Sequence, residues 1–152
     1  MAKLYILRGA PGSGKSTFAH HLLNAGLADK HFEADLWFYG KNGYKWDPAL
    51  LQDAHYWCFL STHAALRGGY NVVVANCFAR RMQIQDYVDL GYETEVIELR
   101  GKHPNVHGVP PQKVEHIRRI MEEWPGEQSV NRGKRSKVHS PGYAGPEYSQ
   151  VS

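Results

Sequence analysis

Apolar positions along this chain come in two alternating patterns: short continuous runs, and stripes spaced three or four residues apart. Lys3 to Leu7 is the first run and ends at a glycine-rich loop, which predicts a buried strand. From Lys15 onward Phe18, Ala19, Leu22 and Leu23 fall on one helical face, and this helix closes near Gly26. "HFEAD", His31 to Asp35, predicts a second short strand. "DPALLQDAHYWCFLSTHAALRGG" then supplies Asp47 as an N-cap, Pro48 in the first turn and a terminal glycine pair. Its expected buried stripe is Leu50, Leu51, Ala54, Trp57, Cys58 and Ala65. "YNVVVANC" has the β-branched run of a strand covered on both faces. A helix from Ala79 to Leu90 stops at Gly91, and "TEVIEL" reads as the last strand. Arg100 to Pro110 is a polar loop. Pro111 to Trp124 predicts a helix with Val114, Ile117, Ile120, Met121 and Trp124 inward. After Pro125 the periodicity stops and Gly, Ser and Pro accumulate, so residues 125–152 read as a disordered tail.

Strands alternating with helices predict an α/β fold, a parallel sheet of about four to five strands with helices on both faces. The 152 residues suffice for one core, so residues 1–124 are expected to form a single domain. Ligands of such sheets sit at the carboxyl ends of the strands. That rule gathers the loop at Gly9 to Thr17, Asp35, Asn76 and the loop from Arg100 around one crevice.

Composition adds limits. Charged residues are 22% and apolar residues 42%, an ordinary globular balance. No apolar run reaches the roughly 18 residues of a membrane span, and the first residues lack the cleavage pattern of a secretion signal. No membrane association is therefore expected. Cys58 and Cys77 read as reduced thiols in a cytoplasmic protein, without zinc-ligand spacing around them. Of the net charge of +3, the tail holds +2, from Arg132, Lys134, Arg135 and Lys137 against Glu127 and Glu147. Such a tail is either a phosphate-seeking arm or a solvated terminus.

The chemistry starts at "LRGAPGSGKST", which fits G-x-x-x-x-G-K-[ST]. Gly9, Ala10, Pro11, Gly12, Ser13, Gly14, Lys15, Ser16 and Thr17 form the expected ATP-binding loop of a P-loop NTPase fold. Amides between Ala10 and Ser16 point at the β-phosphate, helped by the positive end of the following helix. Lys15 bridges the β- and γ-phosphates, and the Ser16 hydroxyl ligates Mg2+. Asp35, at the end of the second predicted strand, is placed to orient and deprotonate an acceptor hydroxyl, or else to cap the segment after it. Many P-loop proteins carry the acid of the magnesium shell at the end of the third strand, but "VVVANC" offers Ala75 and Asn76. Asn76 either hydrogen-bonds the nucleophile or fixes a loop. Arg100, Lys102, His103 and His107 bring cations to a loop that can close over a transferring phosphoryl group. The aromatic residues of "LWFYGKNGYKW" either stack on an unpaired base or pack their loop onto the body.

Three blocks together resemble one family. "GAPGSGKST", then "EADLWF" with "GYKWDPALLQDAHYWC", and "NVHGVP" before an amphipathic helix are similar to the polynucleotide 5′-hydroxyl kinases. The likeness is to the compact kinase domain of phage proteins and of a eukaryotic ubiquitin-ligase-binding protein and its short relatives, and it covers Lys3 to Trp124. It implies that Lys15 and Ser16 handle ATP and Mg2+, that Asp35 is the general base toward a nucleic-acid 5′-hydroxyl, and that the loop from Arg100 is the lid. Arg100 is the residue that matches a basic lid position. The chain departs from the family pattern at Ala75, where an acid is common, and at Pro104, where an arginine is common. Three functions stay open: a kinase for the 5′-hydroxyl of DNA or RNA, a kinase for a nucleoside, small metabolite or modified base, and an ATP-binding module without turnover.

Overall fold

A computed structural model of the chain describes residues 1–104 and 108–130. In chain order the elements are β1 (Lys3–Arg8), α1 (Lys15–Asn24), β2 (Lys30–Phe32), the hairpin strands β3 (Tyr39–Gly40) and β4 (Gly43–Tyr44), and α2 (Leu51–Arg67). These are followed by β5 (Val72–Ala75), α3 (Arg81–Val88), β6 (Glu93–Leu99), α4 (Pro111–Ile120) and β7 (Gln128–Val130). Five strands form one sheet in the order β2-β5-β1-β6-β7, and every pairing is parallel.

The two-residue period of the strands sorts their side chains into two layers. Leu4, Ile6, Val72, Val74 and Val96 meet Ala54, Cys58 and Leu66 of α2 and Ile84 and Tyr87 of α3. On the opposite face Tyr5, Leu7, Val73, Ala75, Ile97 and Leu99 meet Ala19 and Leu22 of α1. All four residues of β5 are buried, because helices cover both of its faces. A smaller cluster joins Val109 and Val114 of the α4 region to Ala10.

Four predicted elements change. The second strand stops at Phe32, and Ala34–Phe38 form a 3₁₀ turn instead. Asp35 thus stands in that turn, not at a strand end. The Asn76 side chain pulls the backbone out of the ladder by accepting from Ala34 N at 3.0 Å. The Asp47 side chain does accept from Ala49 N, at 2.9 Å, but it caps a 3₁₀ turn over Pro48–Leu50 that leaves Leu50 exposed. The fully buried stripe of α2 is therefore Ala54, Cys58, Thr62 and Leu66. α4 ends at Ile120, not Trp124, because Glu122 N donates to Ala79 O and the Glu122 carboxylate accepts from Arg81 N. Trp124 still packs on the core, from an extended segment. "TEVIEL" is not the last strand: β7 pairs with β6, Leu99 opposite Val130, and so extends the sheet past the boundary expected at residue 124. Residues 131–152, most of the expected tail, lie outside the described residues.

β7 is positioned by a buried charge. Arg8, 1% exposed, donates from Nη1 to Glu127 at 2.8 Å and from Nε and Nη2 to Phe78 O at 3.1 and 2.8 Å. Phe78 holds a left-handed backbone, φ 50°, unusual for a bulky residue. The Arg8 fork on its carbonyl and the contact of its ring with Tyr87 hold it there. Replacing Arg8 by Met strands the Glu127 carboxylate and that carbonyl. A loss of roughly 3–5 kcal/mol is expected in urea unfolding; an unchanged midpoint would show that the pair does not hold the end of the sheet.

Candidate active site

The glycine loop is braced from outside by the chain that follows β6. Gly101 N donates to Ser13 O at 3.2 Å and His103 N to Gly12 O at 2.7 Å. A side chain at Gly12 is excluded twice, since its φ is +80° and a Cβ would lie 2.2 Å from His103 O. A Cβ on Gly9 would lie 2.5 Å from Leu99 O. Residues 9–17 are buried throughout. The outer carbonyls are engaged and α1 has no side-chain cap, so the first amides of that helix have no intrahelical acceptor. The Lys15 ammonium is fully buried and donates to Gly9 O at 2.9 Å and Ala10 O at 3.1 Å, which keeps it folded over the loop it serves.

Ser16 Oγ donates to Glu33 Oε2 at 2.9 Å. His31 Nε2 lies 2.7 Å from the same oxygen. Glu33 is 0% exposed, and its Oε1 has no hydrogen-bond partner among the described residues. The Glu33–Ser16 contact was not anticipated. The available signal was strand alternation, which puts Glu33 and His31 of "HFEAD" on one face.

Two residues further on, Asp35 is also fully buried. The Tyr44 hydroxyl, from the β3–β4 hairpin, donates to its Oδ1 at 2.7 Å. Burial, then that hydrogen bond, pushes the Tyr44 phenol far above its ordinary value, so it remains a donor. Asn76 takes the loop-fixing role: buried, it accepts from Ala34 N and its amide nitrogen lies 3.8 Å from Cys58 Sγ. Burial pushes the Cys58 thiol up to about 12, which makes it an inert core group. Both cysteines are free and buried. Phe38 is buried, and Tyr44 and Trp46 pack on the core, while Trp37 stands 41% exposed.

Arg100 is brought to the outer side of the glycine loop. It lines a cavity of about 470 Å³ with Ala10, Ser13, Lys102 and Arg118. Its Nη2 donates to Glu98 Oε1 at 2.7 Å, a bond that raises its own pKa. Burial acts to raise the Glu98 carboxyl, but hydrogen bonds with Glu127 and Arg100 outweigh it and hold Glu98 below its ordinary value. His107, with Asn105 and Val106 of the lid motif, lies outside the described residues. Among the described residues no helix is long and apolar enough to cross a membrane.

A glycine loop joining β1 to α1 beneath a five-stranded parallel sheet defines the P-loop kinase fold. Residues 4–100 match the model of the AAA domain family AAA_33, and the chain belongs to that family. Solved structures agree on the fold. A sugar kinase from Janibacter sp. HTCC2649 is 16% identical with a TM-score of 0.64, over 91% of this chain and 90% of that one. A gluconokinase from Sinorhizobium meliloti 1021 is 14% identical with a TM-score of 0.60, over 90% and 86%. A chain of the Pnkp1/Rnl/Hen1 RNA repair complex is 22% identical with a TM-score of 0.50, over 82% of this chain but only 40% of that one.

Truncating Lys15 to Ala removes the one buried cation of the glycine loop. ATP affinity by titration calorimetry is expected to fall by at least about 100-fold, the size of loss expected for a charge-assisted contact made by a buried cation; retained affinity would remove the loop from the nucleotide site.

Proposed function

We propose that this protein transfers the γ-phosphoryl group of ATP to an alcohol, with Asp35 as the base that takes the hydroxyl proton. The observation that carries this reading is the buried Asp35 carboxylate, held by Tyr44 on the segment that also bears Glu33. Glu33 touches Ser16, and two residues of chain span at most about 7 Å between Cα atoms, so Asp35 is near the helix start that would hold the triphosphate.

The residues present fit ATP with Mg2+. The amides at the start of α1 and the Lys15 ammonium meet the phosphates, and the Ser16 hydroxyl is a hard oxygen donor for the metal. Bound Mg2+ would neutralise charge on the β- and γ-phosphates. Asp35 accepts the proton as the alcohol oxygen bonds to the γ-phosphorus and the bond to the β-bridging oxygen breaks; ADP departs. Tyr44 orients the carboxylate by donating to Oδ1. Arg100 acts at the lid once released from Glu98.

The acceptor in this reading is the 5′-hydroxyl of DNA or RNA. The three sequence blocks support it, as does the likeness to a chain of an RNA repair complex. A second acceptor class, a nucleoside or small polyol, is favoured by one feature. A cavity of about 520 Å³ between α2 and α3 opens beside Asn76 and is lined by His55, Tyr56, Phe59 and Tyr87 together with Asp86 and Asp89. Aromatic walls with carboxylates receive a neutral ring better than a polyanion.

Labelled γ-phosphate from ATP is expected to appear on a 5′-hydroxyl oligonucleotide. Asp35→Asn should lower that transfer by about 100-fold or more while ATP still binds. Label on nucleosides or sugars alone would move the acceptor to the second class. ATP binding with no transfer to any alcohol would end the kinase reading.

A further inference from the structure

We infer that Glu33 supplies the carboxylate of the magnesium shell, one strand away from the position where a P-loop protein ordinarily carries it. The inference rests on the reading of the site as one for ATP with Mg2+. At the end of β5 the chain has Ala75, which brings no oxygen. The β2–β5 register sets Phe32 opposite Val74, and one further residue sets Glu33 beside Ala75. Phe32 and Val74 belong to the α2 side of the sheet, whereas Ala75 belongs to the α1 side. Alternation therefore turns Glu33 toward α1, where it meets Ser16. The acid missing from one strand is present at the same level of its neighbour, on the same face.

The hydrogen bonds of Glu33 agree with that role. Oε2 is taken by both Ser16 Oγ and His31 Nε2, while Oε1, equally buried, has no hydrogen-bond partner among the described residues. A fully buried carboxylate oxygen is costly unless something positive meets it, and a hard divalent cation with its water does so. Ser16 gives its proton to Glu33, so the serine oxygen keeps its lone pairs for ligation. This is the relation between P-loop serine and acid that the metal requires. His31, bonded to Glu33 Oε2, is a positioning residue of the kind that fixes metal-binding carboxylates. His20 stacks edge-on against it at 5.6 Å.

The test measures metal affinity apart from turnover. Mn2+ is titrated into the protein saturated with a non-hydrolysable ATP analogue, and free Mn2+ is read by electron paramagnetic resonance. Glu33→Gln keeps the shape and an acceptor for Ser16 but loses the charge. Mn2+ affinity should drop by about 10–100-fold while metal-free analogue binding is unchanged or tighter. Adding Ala75→Asp to Glu33→Gln should recover most of the loss. Ala75→Asp alone, with Glu33 intact, should gain less than about threefold, because the carboxylate role is already filled. Wild-type Mn2+ affinity in Glu33→Gln, with normal analogue binding, would overturn the assignment and leave His31–Glu33 a buried structural pair; the proposed kinase reading would survive. A gain of about tenfold from Ala75→Asp alone would overturn it too, and that arm decides if Glu33→Gln does not fold. Failure of the wild-type protein to bind the analogue would overturn this inference and the ATP reading together.

Discussion

A helix that begins at the edge of a parallel sheet has amide groups in its first turn that no carbonyl of its own can satisfy, and the site of this protein is arranged around those groups. Gly14 enters α1 without a side-chain cap, and the chain beyond β6 occupies the outward carbonyls of Gly12 and Ser13. An anion is the natural complement of what remains. Lys15, folded onto Gly9 and Ala10, adds a full positive charge to the partial charge of the helix end. The glycines matter because they let neighbouring backbone come within contact of the loop.

Around that positive centre the fold distributes buried carboxylates with distinct partners. Glu33 is held against Ser16 and His31, and Asp35 against Tyr44. Glu98 and Glu127 sit on the other side of the loop, tied to Arg100 and Arg8. Each acid has a different environment, set by the partners that its own segment of chain brings to it. Arg100 is paired with Glu98 at the start of the loop that follows β6.

Two cavities of the protein differ in lining, and only the first borders the glycine loop, at Ala10 and Ser13. It mixes Arg100, Lys102 and Arg118 with Glu98 and Glu123, whereas the second has aromatic rings with Asp86 and Asp89.

Local pattern alone determined the glycine loop and the alternating strands and helices, and it singled out Lys15, Ser16 and Asp35 as candidates. All of that information lies within a few residues of where it acts: a motif nine residues long, apolar runs of four or five, and a carboxylate just after a strand. Tertiary structure decided the rest because the contacts span the chain. Glu33 reaches Ser16 across 17 positions, Tyr44 reaches Asp35 only through a hairpin, and Arg8 reaches Glu127 across 119. β7 is three residues long, too short to carry a period, and exists because β6 offers it an open edge and Arg8 fixes its approach. Asp35 left the strand for the same kind of reason: Asn76, 42 positions from Ala34, takes the amide that the ladder would have used. Residue type and spacing could say which chemistry was available; only the packed sheet could say which oxygen faces which partner.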